Sequence, residues 1–475
     1  MRRAAPDRHP RISRQRLLSF PVMRTTAVIL AAGKGTRMRS SLPKVLHPLA
    51  GRPMIAHAIA AARAVTEAPP VVVYGHGGDR LLAALDGSEL RFVEQSEQLG
   101  TGHAVMQAAT EFPPGGRVLV LYGDVPLLTP VTLCRLLDET PVDGVGVLTV
   151  RMADPTGYGR ILRDEAGAVA GIVEQKDASE AQCAIDEINT GIMVLPADPL
   201  RSWLAALDND NAQGEYYLTD VVAAARASGV PVIGVEAASE TEVAGVNDRV
   251  QLAALERAFR RRVADELMRA GVTIADPERI DVRGELTVDP DAFIDVDCVF
   301  EGRVHLGAGA RVGPHCVLRD AVIGAGTEVL EFSSITGAEV GAGARVGPFA
   351  RLRPETVLAD RTHVGNFVEL KKVSVGAGSK VNHLTYLGDA SVGVDVNIGA
   401  GTITCNYDGA YKHQTTIEDD VFVGSDTQLV APVTVGRGAT IGAGTTVTRD
   451  VPAGTLAVGR ARQTTIEGWS RPRKK

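Results

Sequence analysis

Two groups of residues in this sequence could do chemistry, and they lie far apart in the chain. The first opens at Leu30-Ala31-Ala32-Gly33-Lys34-Gly35-Thr36-Arg37-Met38, with Leu42-Pro43-Lys44 soon after. Backbone N–H groups of a Gly-rich loop cradle phosphates, and Arg37 and Lys44 add positive charge. The string is not a P-loop, because Gly33 begins no GxxxxGK[ST] run. It is not a GxGxxG dinucleotide fingerprint, because position 38 is Met. Farther on, Tyr122-Gly123-Asp124 closes an apolar run. Such an aspartate also suits a plain turn. At the carboxyl end of a strand, however, it faces the ligand crevice of an open α/β sheet. Mg2+ takes one or two protein oxygens beside substrate phosphates, which favours Asp124 as a metal ligand.

The second group is C-terminal. It comprises Arg351-Leu352-Arg353-Pro354, Gly365–Lys372, Lys380–Asp389 and Asn397–Gly409. A lone histidine is more often structural than catalytic. His383 comes two residues after Val381 and in the company of Lys371, Tyr386, Asn397 and Asn406, which suits a general base. A neutral imidazole near pH 7 can take a proton from an amine attacking a thioester. Glu369 is the carboxylate expected to orient it.

The elements that must position these residues change character along the chain. From Thr26 to about Val250, apolar runs such as Ala27-Val28-Ile29-Leu30, Val71-Val72-Val73-Tyr74 and Val118-Leu119-Val120-Leu121 alternate with Ala-rich segments. That pattern predicts a Rossmann-like α/β domain with a mainly parallel sheet over 24–250. Leu252, Leu255, Phe259, Val263 and Leu267 keep helical spacing, and Gly271 is a stop signal. One long connecting helix is expected within 251–273. From 274 to 460 the period becomes six: Val423, Leu429, Val435, Ile441 and Val447, with Val340, Val346, Leu352 and Val375, Val381, Leu387 upstream. This hexapeptide signature predicts a parallel β-helix with one aliphatic per short strand inside a narrow prism. The step fails between Ile398 and Val423, so a loop should bulge there. Packing three flat-faced prisms side by side predicts a homotrimer.

Composition sets the outer limits. A chain of 475 residues is too long for one ordinary domain. No run approaches the roughly 18 apolar residues of a membrane helix. Five scattered cysteines form no CxxC pair, which argues against a zinc site or a disulfide framework and suits a reducing cytoplasm. The net charge of −7 gives no overall attraction to nucleic acid. Residues 1–23 run against that balance, with six arginines and one acid, Asp7. A nucleic-acid arm or targeting segment is one reading. A disordered leader, or a true start at Met23, is the reading favoured here. Residues 461–475 form a C-terminal tail.

The order Leu-Ala-Ala-Gly-x-Gly-Thr-Arg-Met followed by Leu-Pro-Lys resembles the signature loop of sugar-1-phosphate nucleotidylyltransferases. From Thr26 to the C terminus, including the tail Glu467-Gly468-Trp469-Ser470-Arg471-Pro472, the chain is similar to one bifunctional family. These are the N-acetylglucosamine-1-phosphate uridylyltransferase/glucosamine-1-phosphate N-acetyltransferases. The resemblance implies a left-handed β-helix. It also implies UTP and acetyl-CoA as cosubstrates, Mg2+ as cofactor, the two sugar phosphates as substrates, and a role in bacterial cell-wall synthesis. Asp124 and Asn247 would hold the metal, and Arg37 and Lys44 would cover the triphosphate. Leu30, Ala31, Ala32, Gly33, Gln95, Gly100, Thr101, Tyr122, Gly123, Gly159, Glu174, Asn189 and Asn247 would line the nucleotide and sugar site. In the second site His383 would be the base, with Arg353, Lys371, Tyr386 and Asn397 on the amino-sugar phosphate. Asn406 and Tyr407 would lie where the substrates meet. Ala400, Ser425, Ala443 and Arg460 would line the acetyl-CoA groove, and Lys412 would reach a CoA phosphate.

Two departures stand out: the basic leader, and Leu330-Glu331-Phe332-Ser333-Ser334, to which no function is assigned. Two rivals remain open at this point. One is a nucleotidylyltransferase whose β-helix only assembles it. The other is a structural trimer whose leader binds nucleic acid. The first leaves His383, Tyr386, Asn397 and Asn406 unexplained; the second leaves Asp124, Asn247 and the loop Gly33–Arg37 unexplained.

Overall fold

The computed structural model describes residues 24–33, 35–75, 77–459 and 463–471. The basic leader and Arg460 lie outside the described residues. The chain divides into two compact units between Glu256 and Arg257, inside the helix Arg249–Arg269. That helix is the connecting helix expected within 251–273. It stops where Gly271 turns to φ +95°, and Val272 N–H caps Leu267 C=O at 3.1 Å.

The first unit is built on one twisted sheet. Across it the strands run Val232–Glu236, Val145–Arg151, Glu187–Pro196, Arg117–Tyr122, Thr25–Ala31, Val71–Tyr74 and Arg91–Glu94. Among these seven strands Glu187–Pro196 is antiparallel to its neighbours and the other pairings are parallel; two further strands, Arg160–Arg163 and Val169–Val173, extend the sheet antiparallel. The central strands are apolar throughout because both faces are covered. Ala27 and Ile29 pack with Ile55, Ala58 and Ala62 of helix Met54–Val65 and with Leu133 and Leu136 of helix Pro130–Glu139. Val28 and Leu30 face the other way, against Ala104 and Val105, Leu200 and Trp203, and Val221 and Val222. Strands Thr25–Ala31 and Arg117–Tyr122 pair Leu30 with Tyr122. Their carboxyl ends therefore deliver the Gly33 loop and Asp124 to the same edge.

The second unit is a parallel β-helix. One column of inward side chains runs Ile294, Val312, Val329, Val346, Val364, Val381, Ile398, Val423, Ile441, each paired in register with the next. Successive members lie 17 or 18 residues apart, except Ile398 and Val423, which are 25 apart. The extra residues form the expected bulge, an extruded hairpin closed by a Tyr407–Lys412 bridge. Glycine is required at the corners: a Cβ on Gly324 would sit 2.5 Å from the carbonyl carbon of Gly341 in the next coil. Buried threonines satisfy corner carbonyls, as Thr427 Oγ1 does for Gly424 at 2.7 Å. The few aromatics largely stay outside. His315, Phe332, Phe349 and Phe367 stack face to face up one edge at 4.9, 5.0 and 5.2 Å. Phe332, in the segment left without a function, is one rung of that ladder.

Candidate active sites

In the first unit, a cleft of about 250 Å3 is lined by Leu30, Ala31, Ala32, Gly33, Lys44, Gln95, Gly100, Thr101, Tyr122 and Asp124. All ten were expected from sequence. Val45, Gln98, Ala104 and Glu215 complete the lining and were not expected. The local chain conformation follows from close packing. Gly35 sits at φ +60°, and a Cβ there would lie 2.6 Å from Lys44 Cβ, so the loop wraps the lysine stem only as glycine. Gly123 N–H donates to Leu30 C=O at 3.0 Å, locking the two strand ends together.

Four polar side chains converge at the edge of this cleft. Lys44 Nζ is ion-paired with Asp124 Oδ2 and donates to Asn247 Oδ1 at 3.1 Å. Arg37 Nη2 donates to the same Asn247 oxygen at 2.8 Å. The loop bearing Asn247 is tied to Asp124 by Val246 N–H to Asp124 C=O at 2.9 Å. Arg249 Nε, bonded to Met38 C=O at 3.2 Å, ties it to the Gly-rich loop. Among the described residues no cluster of three His, Cys, Asp or Glu suits a metal ion. A cation on one carboxylate and one amide oxygen would need oxygens from a ligand, as Mg2+ beside phosphates does.

One end of the cleft is fixed by Gln95, which is buried. Its Nε2 donates to Gly100 C=O at 3.1 Å and meets His103 Nδ1 at 3.0 Å. Gly100 has φ +113°, and Gly102 N–H reaches Tyr216 C=O at 2.8 Å. Gly159, Glu174 and Asn189, expected at the sugar, form a second group. Asn189 N–H donates to Gly159 C=O at 2.8 Å, and a Cβ on Gly159 would lie 3.3 Å from Glu174 Oε1. Burial pushes the Glu174 carboxyl up, against the hydrogen bond from Thr219; Asp220, Asp177 and Glu215 push the same way as burial. Burial also raises the Tyr122 phenol, with Asp124 and Glu174 adding to the shift. Tyr122 thus stays neutral between Asp124 and Glu174. The segment Glu215–Thr219 belongs to this site and was missed; its run Glu-Tyr-Tyr-Leu-Thr was the available signal.

In the second unit the structure gathers the C-terminal group around one edge of the β-helix. His383 Nδ1 lies 2.8 Å from Asn366 Oδ1. An amide oxygen only accepts, so in the neutral imidazole this contact places the proton on Nδ1 and the lone pair on Nε2. Thr385 Oγ1 at 2.7 Å and Gly401 N–H at 3.2 Å both donate to the His383 carbonyl and hold its backbone. The expected orienting carboxylate, Glu369, is engaged elsewhere. It accepts from Arg353 at 2.8 Å and faces Arg351 at 3.7 Å.

Lys371 is held below its ordinary value by Lys412, through hydrogen bonding and charge, and then by Arg353; Asp389 opposes this. Three cations thus share one patch, a setting for an anion. Lys412, expected at a CoA phosphate, sits beside Lys371. Asn406 Nδ2 donates to Asp389 Oδ2 at 2.6 Å. Gly388 leaves room for the Tyr386 ring and Asn406 to approach the strand. Asn397 pairs in register with Lys380 one coil earlier and Phe422 one coil later. Tyr407 is exposed on the hairpin, its hydroxyl donating to Gly409 C=O at 2.5 Å. Asp408 braces that hairpin. Tyr411 N–H, the His413 ring and Ala410 N–H hold its carboxyl well below the usual carboxylate range. Ala400, Ser425 and Ala443 lie on successive coils: Ala400 C=O accepts from Asp426 N–H at 2.7 Å and Ser425 C=O from Gly444 N–H at 2.8 Å.

An α/β unit with a Gly-rich loop at its sheet edge and a hexapeptide β-helix together define a two-domain transferase. The comparisons agree. The MobA-like NTP transferase domain model matches residues 27–215, the GMPPB C-terminal domain model residues 282–387, and the bacterial transferase hexapeptide model, with six repeats, residues 414–449. Proteins named "Bifunctional protein GlmU" from Ralstonia nicotianae and Ralstonia pickettii are each 59% identical over 447 residues, covering 94% of this chain and 98% of theirs. That of Alkalilimnicola ehrlichii is 58% identical over 445 residues, covering 94% of this chain and 96% of its own. A nucleotidyl transferase from Methanothermobacter thermautotroptrophicus is 22% identical with a TM-score of 0.36, covering 50% of this chain and 99% of its own, and carries no argument. The chain belongs to the GlmU family of bifunctional transferases.

Proposed function

We propose that the chain makes UDP-N-acetylglucosamine in two steps. The second unit transfers acetyl from acetyl-CoA to the amine of glucosamine-1-phosphate. The first unit joins the product to UTP and releases pyrophosphate. We assign residues 24–250 to uridylyl transfer, 251–273 to the connecting helix and 274–460 to acetyl transfer. The observation that carries the reading is one polar cluster in each unit: Lys44 and Arg37 on an Asp–Asn oxygen pair in the first, and in the second a histidine bonded to Asn366 and a group of three cations around Lys371.

In uridylyl transfer the attacking sugar-phosphate oxygen and the α-phosphorus both sit in anionic groups. The protein's task is positioning and charge neutralisation, with no protein nucleophile required. Arg37 and Lys44 cover the triphosphate and the departing pyrophosphate. Gln95 and the Gly100–Gly102 turn hold the base. Gly159, Glu174 and Asn189 hold the sugars. Asp124 and Asn247 fit Mg2+, which when bound supplies charge neutralisation between the two phosphates.

In acetyl transfer the amine nitrogen bonds to the thioester carbonyl carbon, the C–S bond breaks, and CoA leaves as the thiol. His383 Nε2 takes the proton released by the amine and passes it to the departing CoA sulfur. Arg353, Lys371, Tyr386 and Asn397 bind the amino-sugar phosphate, and Lys412 reaches a CoA phosphate. Ala400, Ser425, Ala443 and Arg460 line the acetyl-CoA path. A cytoplasmic homotrimer is the assembly we assign, since flat β-helix faces bury against copies of themselves, and among the described residues no helix is long and apolar enough to cross a membrane.

The test is a split assay on the purified chain. One tube holds glucosamine-1-phosphate and acetyl-CoA, with free thiol followed. The other holds N-acetylglucosamine-1-phosphate, UTP and Mg2+, with pyrophosphate followed. Signal in both tubes is expected. Pyrophosphate alone would reduce the β-helix to a scaffold.

A further inference from the structure

Two cations compete for one oxygen pair in the nucleotide cleft. The Lys44 ammonium touches both Asp124 Oδ2 and Asn247 Oδ1. These are the oxygens assigned to Mg2+ above, and the inference rests on that assignment. The lysine is held there. Its side chain is only 14% exposed and that of Asp124 only 19%, and Gly35 leaves no slack against its stem. An ammonium and a divalent cation need the same lone pairs and repel each other at contact distance. Lys44 also lines the cleft beside Gly33, where a polyphosphate would lie.

We propose that Lys44 is a built-in competitor for the metal, so that the metal and the nucleotide phosphates bind with positive coupling. A polyphosphate that takes the Lys44 ammonium and the Arg37 guanidinium frees Asp124 and Asn247 for the cation. By reciprocity, the cation releases Lys44 to the phosphates and tightens polyphosphate binding. Divalent cation alone binds weakly because it must first displace the lysine.

The test is Mn2+ binding to the full chain without nucleotide, read from the electron-paramagnetic signal of free Mn2+ at fixed ionic strength. Lys44→Met should bind Mn2+ about tenfold more tightly than the unsubstituted protein, within the usual range of such couplings. Arg39→Met removes an equal charge nearby, from an exposed side chain, and should stay within about twofold. Adding Asp124→Ala to Lys44→Met should erase the gain. Denaturant titration of each variant, read on the first unit's unfolding transition, reports that this unit has folded, and Lys44→Gln replaces the methionine variant should that one fail to fold. Unchanged or weaker Mn2+ binding by the Lys44 variants overturns the proposal, as does an equal gain from Arg39→Met. If Asp124→Ala alone weakens Mn2+ binding while Lys44→Met changes nothing, the metal assignment stands and only the competition fails. A gain that survives loss of Asp124 removes both.

Discussion

Asn366 and His383 are in-register neighbours on adjacent coils of the β-helix, and their side chains meet at 2.8 Å. The amide oxygen fixes the proton on Nδ1 and aims the lone pair of Nε2 outward. Asn366→Ala should lower kcat for acetyl transfer by about tenfold to a hundredfold, the scale of a misplaced general base, and leave uridylyl transfer unchanged. Asn366→Asp puts a carboxylate beside the imidazole and favours its charged form. The acid limb of the acetyl-transfer pH profile should therefore move to higher pH. An unmoved limb with unimpaired kcat would remove Asn366 from the site.

Gly35→Ala tests the other unit. The new Cβ meets the Lys44 stem at 2.6 Å, in a backbone conformation with φ +60°. Uridylyl transfer should fall by about a hundredfold, since displacement of a positioning cation near 1 Å costs on that order. Thiol release in the acetyl assay should be unaffected.

A pH-dependent contribution to stability sits at Glu187. Glu187 is buried. Burial pushes its carboxyl up, but Arg163 outweighs this with hydrogen bonds of 2.8 and 2.6 Å, Thr149 and Arg151 assist, and the net shift is downward. A lowered folded value means that the stabilisation is present above the ordinary glutamate range, about pH 4.3, and is lost as pH falls through the folded value. Arg163→Met should destabilise the first unit by about 2 kcal/mol at pH 7, and the difference from the unsubstituted protein should shrink as pH falls below about 4. Denaturant titration at several pH values checks both.

Much of this was legible in the sequence, for identifiable reasons. Asp124 could be placed because a strand that is apolar on both faces must end at the crevice. The β-helix could be placed because Val423, Leu429, Val435, Ile441 and Val447 face one interior; they are buried as expected. The bulge after Ile398 followed from the same periodicity. Asn247, by contrast, came only through resemblance, since its link to Lys44 spans 203 residues. The partner of His383 was misread for want of coil arithmetic. Glu369 is 14 residues upstream and stacks on Tyr386, whereas a full coil of 17 lands on Asn366. Gln98 was missed because nothing local to it marks the cleft it lines.

The most direct test of the account is a crossed pair of single variants, each assayed for both reactions. Asp124→Ala should reduce uridylyl transfer by about a thousandfold, through loss of charge stabilisation, and spare acetyl transfer. His383→Ala should do the reverse, because distant, independent sites act additively. If either change removed both activities from folded protein, the account of two separate sites would be contradicted.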